Sequence, residues 1–278
     1  MSSIIRRRPL LVYFVLAFVL TWGGTLLHQL AGPQRDSVLP SLFAVPGILM
    51  WYYGPALAAV IVVWSSEGKD GLRRLLRKFL VWRVGWRWYA FIVLYPLVLH
   101  LVVSGIGWLT SGPALRFFET EGIPGGNRWM VALILILYHT LVRGIGEETG
   151  WRGFALPRMQ SRWGVLRGGL LLGVLWGAWH FNPANFSLLL SPLGVVIFLN
   201  IVAASVIYAW VYNHTQGSLL IAALFHMTNN IAEWVVPVGL MTGTVANLAI
   251  QTIVLWMIVA GLVLKFGPEL RPQPEPTF

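Results

Sequence analysis

Long apolar runs recur along this chain, separated by short stretches rich in arginine, glycine and proline. A helix needs about 20 mostly apolar residues to cross a bilayer, since its backbone polar groups must all be satisfied internally. Eight runs fit, at roughly residues 9–30, 43–65, 88–110, 129–157, 165–183, 192–212, 217–237 and 244–265. The pattern predicts an all-α polytopic membrane protein with about eight transmembrane helices.

Composition agrees. Of 278 residues, 57% are hydrophobic and 11% charged, where a soluble domain carries about 25% charge. The balance predicts one membrane-embedded domain over residues 1–267 and a Pro-rich, disordered cytoplasmic tail over 268–278. The chemistry-bearing part lies at about 130–232. The opening MSSIIRRRP and its apolar run look like a signal peptide, but the run is too long and lacks a small-residue cleavage site. It is read as a retained first span. No internal repeat is visible.

The formal net charge is +10. In a membrane chain such charge sets topology and meets anionic lipid, so no nucleic-acid partner is implied. Arg6–Arg8, the basic residues from Lys69 to Arg87, Arg158, Arg162, Arg167, Lys265 and Arg271 fall on one side. Only Arg35, Arg116 and Arg128 fall in the opposite loops. The alternation puts both termini in the cytoplasm and the protein in the inner or plasma membrane. Residues 71–88 place leucines at helical spacing among arginines, which predicts an amphipathic helix on the cytoplasmic leaflet. There is no cysteine, so disulfides, thiolate ligands and a cysteine nucleophile are excluded.

Three polar patterns break the apolar runs: Glu147-Glu148-Thr149-Gly150-Trp151-Arg152, Trp176-Gly177-Ala178-Trp179-His180 and His226-Met227-Thr228-Asn229-Asn230. Ionisable residues inside spans are costly and mark function. Counted from the flanking cytoplasmic residues, Glu147, His180 and His226 lie about 16, 20 and 18 Å deep at 1.5 Å per residue. They form one layer near the bilayer middle. Glu148 and Arg152 stand at i and i+4, suited to an ion pair. Glu147 lies about 100° round the helix and is left to act on a water.

These groups supply a carboxylate base, two imidazoles and an amide donor. Glu147, His180 and His226 could hold one divalent metal, typically zinc, with a position left for water. Alternatively the imidazoles hold water and substrate without metal. The residues do not choose between these. Other intramembrane protease chemistries lack their groups: there is no H-E-x-x-H or G-x-S-G, and the two aspartates, Asp36 and Asp70, lie in loops.

Gly169, Gly173 and Gly177 allow close helix approach, and Gly144 and Gly146 mark a break or a close contact in the fourth span. His139 is read as packing, and His28, His100 and His214 as interfacial. Trp151 and Trp179 are expected to line the cavity, with Glu233 as a secondary polar contact.

The three patterns resemble the CAAX protease and bacteriocin-processing family of intramembrane proteases, also called the Abi family. Its signature is E-E-x-x-x-R, an aromatic-x-x-x-H, then H-x-x-x-N. Here these are Glu147-Glu148-(x3)-Arg152, Trp176-(x3)-His180 and His226-(x3)-Asn230. The resemblance covers residues 130–232 and implies an eight-helix membrane peptidase with a site facing the cytoplasm. Glu147 matches the residue that activates water, and Glu148 and Arg152 its supporting pair. His180, His226 and Asn230 match the remaining site residues. Both a metal-assisted and a metal-free glutamate mechanism have been argued for the family. The implied partner is a peptide or membrane-protein substrate. Prenylated proteins are generally absent from bacteria, so that substrate is not carried over. The rival reading is a non-enzymatic relative, such as a bacteriocin-immunity protein or a scaffold.

Overall fold

A computed structural model describes residues 2–30, 38–111, 128–236 and 245–270, with helices throughout and no strand among them. After a short helix at Ser2–Arg7 come α1 (Pro9–Leu30), α2 (Val38–Arg77) and α3 (Trp86–Ser111). The fourth, α4, is continuous through five segments: Arg128–Leu137, Tyr138–Gly144, Ile145–Gly150, Trp151–Ala155 and Leu156–Trp163. Then follow α5 (Val165–Trp179), α6 (Pro192–His214), α7 (Leu219–Val235) and α8 (Val245–Phe266). A helix thus stands at each of the eight expected places.

Six of these, α1–α4, α6 and α8, are long and apolar enough to cross a bilayer. The α5 helix is shorter than expected because the chain turns at His180, ahead of Asn182-Pro183. A residue before proline is pushed out of the helical region, which accounts for the stop. Large apolar side chains such as Val19, Leu94, Ile134 and Ile253 face outward. That surface suits a lipid solvent, and the protein is a multi-pass membrane protein.

The basic stretch after the second span departs from expectation. Instead of one surface helix over 71–88, α2 kinks at Gly68 (φ 66°), runs to Arg77 and is followed by a tight turn at Lys78–Leu80. Gly68 tolerates this positive φ because it lacks a Cβ. Leu75 is buried in the core with Phe154 and Leu219, while Arg73, Arg74 and Arg77 stay exposed. Leu75 therefore packs on the protein, while Leu76 and Leu80 stay exposed. Glu67 ties this segment down, accepting from Arg74 Nη2 at 2.8 Å and pairing with Arg158 of α4.

The interior has two apolar clusters. One gathers Tyr13, Trp151, Phe154, Leu172 and Trp176 from α1, α4 and α5. The other gathers Val103, Val206, Tyr208, Phe225 and Leu255 from α3, α6, α7 and α8. The glycine stripe of α5 presses on α6: a Cβ at Gly173 would stand 2.9 Å from Val202 Cα, and Ser205 Oγ donates to the Gly169 carbonyl at 3.0 Å.

The expected tail is ordered at its start. Leu270 is fully buried, and the Pro268 carbonyl accepts from Leu166 N–H at 3.0 Å. Residues 271–278 lie outside the described residues.

Candidate active site

The two carboxylates sit on a short α-helical piece of α4, Ile145–Gly150, bracketed by wide π turns at Tyr138–Gly144 and Trp151–Ala155. Such turns are rare, release backbone carbonyls from the helical ladder and recur at functional sites. Two carbonyls in them find outside donors. Tyr53 Oη donates to Leu141 O at 2.8 Å, and Lys78 Nζ to Gly153 O at 2.9 Å.

Glycines press this piece against its neighbours. A Cβ at Gly146 would meet Tyr52 O at 2.5 Å, one at Gly150 would meet Pro55 O at 2.5 Å, and one at Gly144 would meet Ala223 O at 2.7 Å. The close contact expected at Gly144 and Gly146 is thus made on both sides, against α2 and α7. It buries Glu147 at 3% exposure and Glu148 at 0%.

The three motifs meet at these carboxylates. Trp176 Nε1–H donates to Glu147 Oε2 at 2.9 Å. On the other carboxylate, Glu148 Oε1 accepts from Arg152 Nη1 at 3.1 Å and stands 2.8 Å from His226 Nδ1. A carboxylate beside a guanidinium is an acceptor, so Nδ1 carries the proton in this pair. The lone pair of His226 Nε2 then faces Glu147 Oε1, 3.8 Å away. That separation exceeds a direct hydrogen bond.

Arg152 is itself fully buried, with Cζ 4.2 Å from the Trp176 ring centroid and 4.3 Å from that of Tyr208. The two rings meet the weakly hydrated cation from adjacent sides, their centroids 5.7 Å apart and their planes tilted by 58°, and compensate two nitrogens, Nε and Nη2, that find no hydrogen-bond partner.

His180 occupies the turn after α5. Its Nδ1 donates to the Trp176 carbonyl at 2.8 Å, which leaves Nε2 as the open acceptor. Arg143 lies close enough for its charge to act on Glu147. Asn230 lies one turn past His226 on α7, and its Nδ2 is buried without a partner. Trp151 and Trp179 are buried and pack edge to face at 5.7 Å.

Sequence reasoning overlooked Trp176 as a donor, Tyr208 as the second ring against Arg152, and Arg143. The last had a readable signal, an ionisable residue within an expected span. His100 corrects another expectation. It is buried rather than interfacial, with Nδ1 donating to Val236 O at 2.9 Å and Gln251 Nε2 3.2 Å from its Nε2.

A divalent metal would need Glu147, His180 and His226 to converge. Among the described residues no three His, Cys, Asp or Glu groups gather closely enough to hold an ion. Trp176 engages one Glu147 oxygen, while Glu147 Oε1 and His226 Nε2 face each other 3.8 Å apart. As placed, Glu147, His180 and His226 do not gather around one ion.

Comparison with known proteins returns the same part of the chain. A family model described as Type II CAAX prenyl endopeptidase Rce1-like matches residues 128–232. A CAAX prenyl protease 2 from Methanococcus maripaludis is 24% identical over 263 residues, covering 90% of this chain and 90% of the relative.

Proposed function

We infer, from the similarity of residues 128–232 to Type II CAAX prenyl endopeptidases, that this chain is an intramembrane endopeptidase of the CAAX protease and bacteriocin-processing family in which Glu147 activates the attacking water. One observation carries the mechanism: two acceptors, Glu147 Oε1 and His226 Nε2, face each other at 3.8 Å. Neither has a proton to offer the other. A water donating one hydrogen to each satisfies both and turns its own lone pair outward.

Glu147 takes a proton as the water oxygen bonds to the scissile carbonyl carbon. The carbonyl oxygen becomes an oxyanion, and Asn230 Nδ2–H, which has no other partner, donates to it. When the tetrahedral carbon collapses, the C–N bond breaks and the leaving amine takes the proton back from Glu147. The open Nε2 of His180 accepts from the incoming peptide or the water. Glu148 and Arg152 touch no reacting atom; they hold His226 in its tautomer.

The substrate is a peptide or membrane-protein segment that reaches the site from the arginine-rich, cytoplasmic side. Exposed Arg73, Arg77, Arg83 and Arg87, with Trp82 and Trp86 beside them, suit anionic headgroups there.

The test is to incubate purified wild type and Glu147→Gln with a pool of membrane-segment peptides and read new termini by mass spectrometry. Wild type is expected to cut, and Glu147→Gln to lose about 10²–10⁴-fold in rate. A Glu147→Gln protein that cuts like wild type would overturn the mechanism.

A further inference from the structure

Two arginines lie within the helices around the site, and they are treated differently. Arg152 is paired with Glu148 and packed against two rings. Arg143, on the first wide turn of α4, has no carboxylate in ion-pair contact among the described residues. Its Nε is buried without a partner, and its Cζ stands 5.8 Å from the Tyr52 ring centroid. Tyr138 is its hydrogen-bonding neighbour.

The surroundings offer further donors. His139, one turn before Arg143, is buried at 5% exposure with Nδ1 unpartnered, within electrostatic reach of Arg143. Thr140 Oγ1, on the same turn, is also buried without a partner. Of the two acids close by in sequence, Glu148 is taken by Arg152 and His226, and Glu147, which lies within electrostatic reach of Arg143, is hydrogen-bonded by Trp176 and faces His226. A cation and unpartnered donors in a hydrocarbon setting are costly unless an anion meets them.

We propose that Arg143, with His139 beside it, forms a subsite that binds a carboxylate of the substrate. The proposal rests on the peptidase reading and names what that site selects. Arg143 is four residues before Glu147, about 6 Å along the helix at 1.5 Å per residue. An extended peptide covers that in roughly two residues at 3.3 Å each. The carboxylate therefore belongs close to the scissile bond, either as the chain terminus of the leaving segment or as an acidic side chain within it.

The experiment uses a peptide that wild type cleaves, prepared in three forms: free C-terminal carboxylate, C-terminal amide, and amide with a glutamate two residues past the cut. Wild type is expected to favour a carboxylate-bearing form over the plain amide by about 10–100-fold in kcat/KM, the range of a hydrogen bond to a charged group. Arg143→Gln should erase that preference and Arg143→Lys restore part of it. Which acidic form wins identifies the source of the carboxylate. The ratio between two substrates on one variant is insensitive to the fraction folded. An unchanged ratio in Arg143→Gln, or a wild type that cuts all three forms equally, overturns the subsite. Neither result touches the role of Glu147, which falls only if Glu147→Gln stays active.

Discussion

Trp176 holds one oxygen of Glu147. The indole N–H lies 2.9 Å from Oε2, across 29 residues of sequence, and so only Oε1 is left to face His226. An indole nitrogen can only donate, so Oε2 is the acceptor of this bond.

Trp176→Phe keeps a ring over Arg152 and removes the N–H. Hydrogen bonds to charged groups contribute about 1.5–3 kcal/mol. The expected outcome is a kcat reduced about 10–100-fold with a small change in melting temperature. Steady-state kinetics beside a thermal melt in detergent reads both, and an unchanged kcat would mean the indole serves packing alone.

Glu148 and Arg152 are both fully buried. Removing one partner of such a pair strands the other charge, at about 3–5 kcal/mol. Glu148→Ala and Arg152→Ala should each lower the melting temperature sharply. The double variant should be less destabilised than the sum of the two. Additive losses in that cycle would mean the charges do not couple.

Gly173 has no room for a side chain, with Val202 Cα at 2.9 Å and Ser205 Cβ at 3.0 Å from a modest methyl. Gly173→Leu should force α5 off α6, costing about 1–3 kcal/mol. Trp176 lies one turn along the same helix, so cleavage should fall as well. A variant with wild-type melting and cleavage would show that the stripe carries no packing constraint.

Chelation tests the metal-free reading. Because Glu147, His180 and His226 do not converge, dialysis against EDTA should leave the cleavage rate within about twofold, and added zinc should not raise it. Loss on chelation with recovery on zinc would put an ion back among these residues, since catalytic zinc supplies the attacking water.

Some of this was legible in the chain. The eight helices follow from apolar run length, because lipid leaves the backbone no other way to satisfy itself. The Glu148–Arg152 contact follows from i,i+4 spacing, which backbone geometry sets locally. That several polar groups break three apolar runs was equally plain from the residues alone. Even the glycines of α5 announced close packing, though not against which helix.

What the chain did not reveal depends on partners far apart in sequence. His226 meets Glu148, 78 residues away, through the nitrogen that sets its tautomer. Trp176, and not a water alone, holds Glu147. Arg143 and His139 stand on a wide turn whose extra residue no periodicity marks. His100 lies in a polar cluster joining α3, α7 and α8 instead of at an interface. Local hydrogen bonding fixes the helical period, so sequence determined which residues share a face. How those faces meet depends on where helices kink, widen and press on glycine, and that only the packed tertiary structure decided.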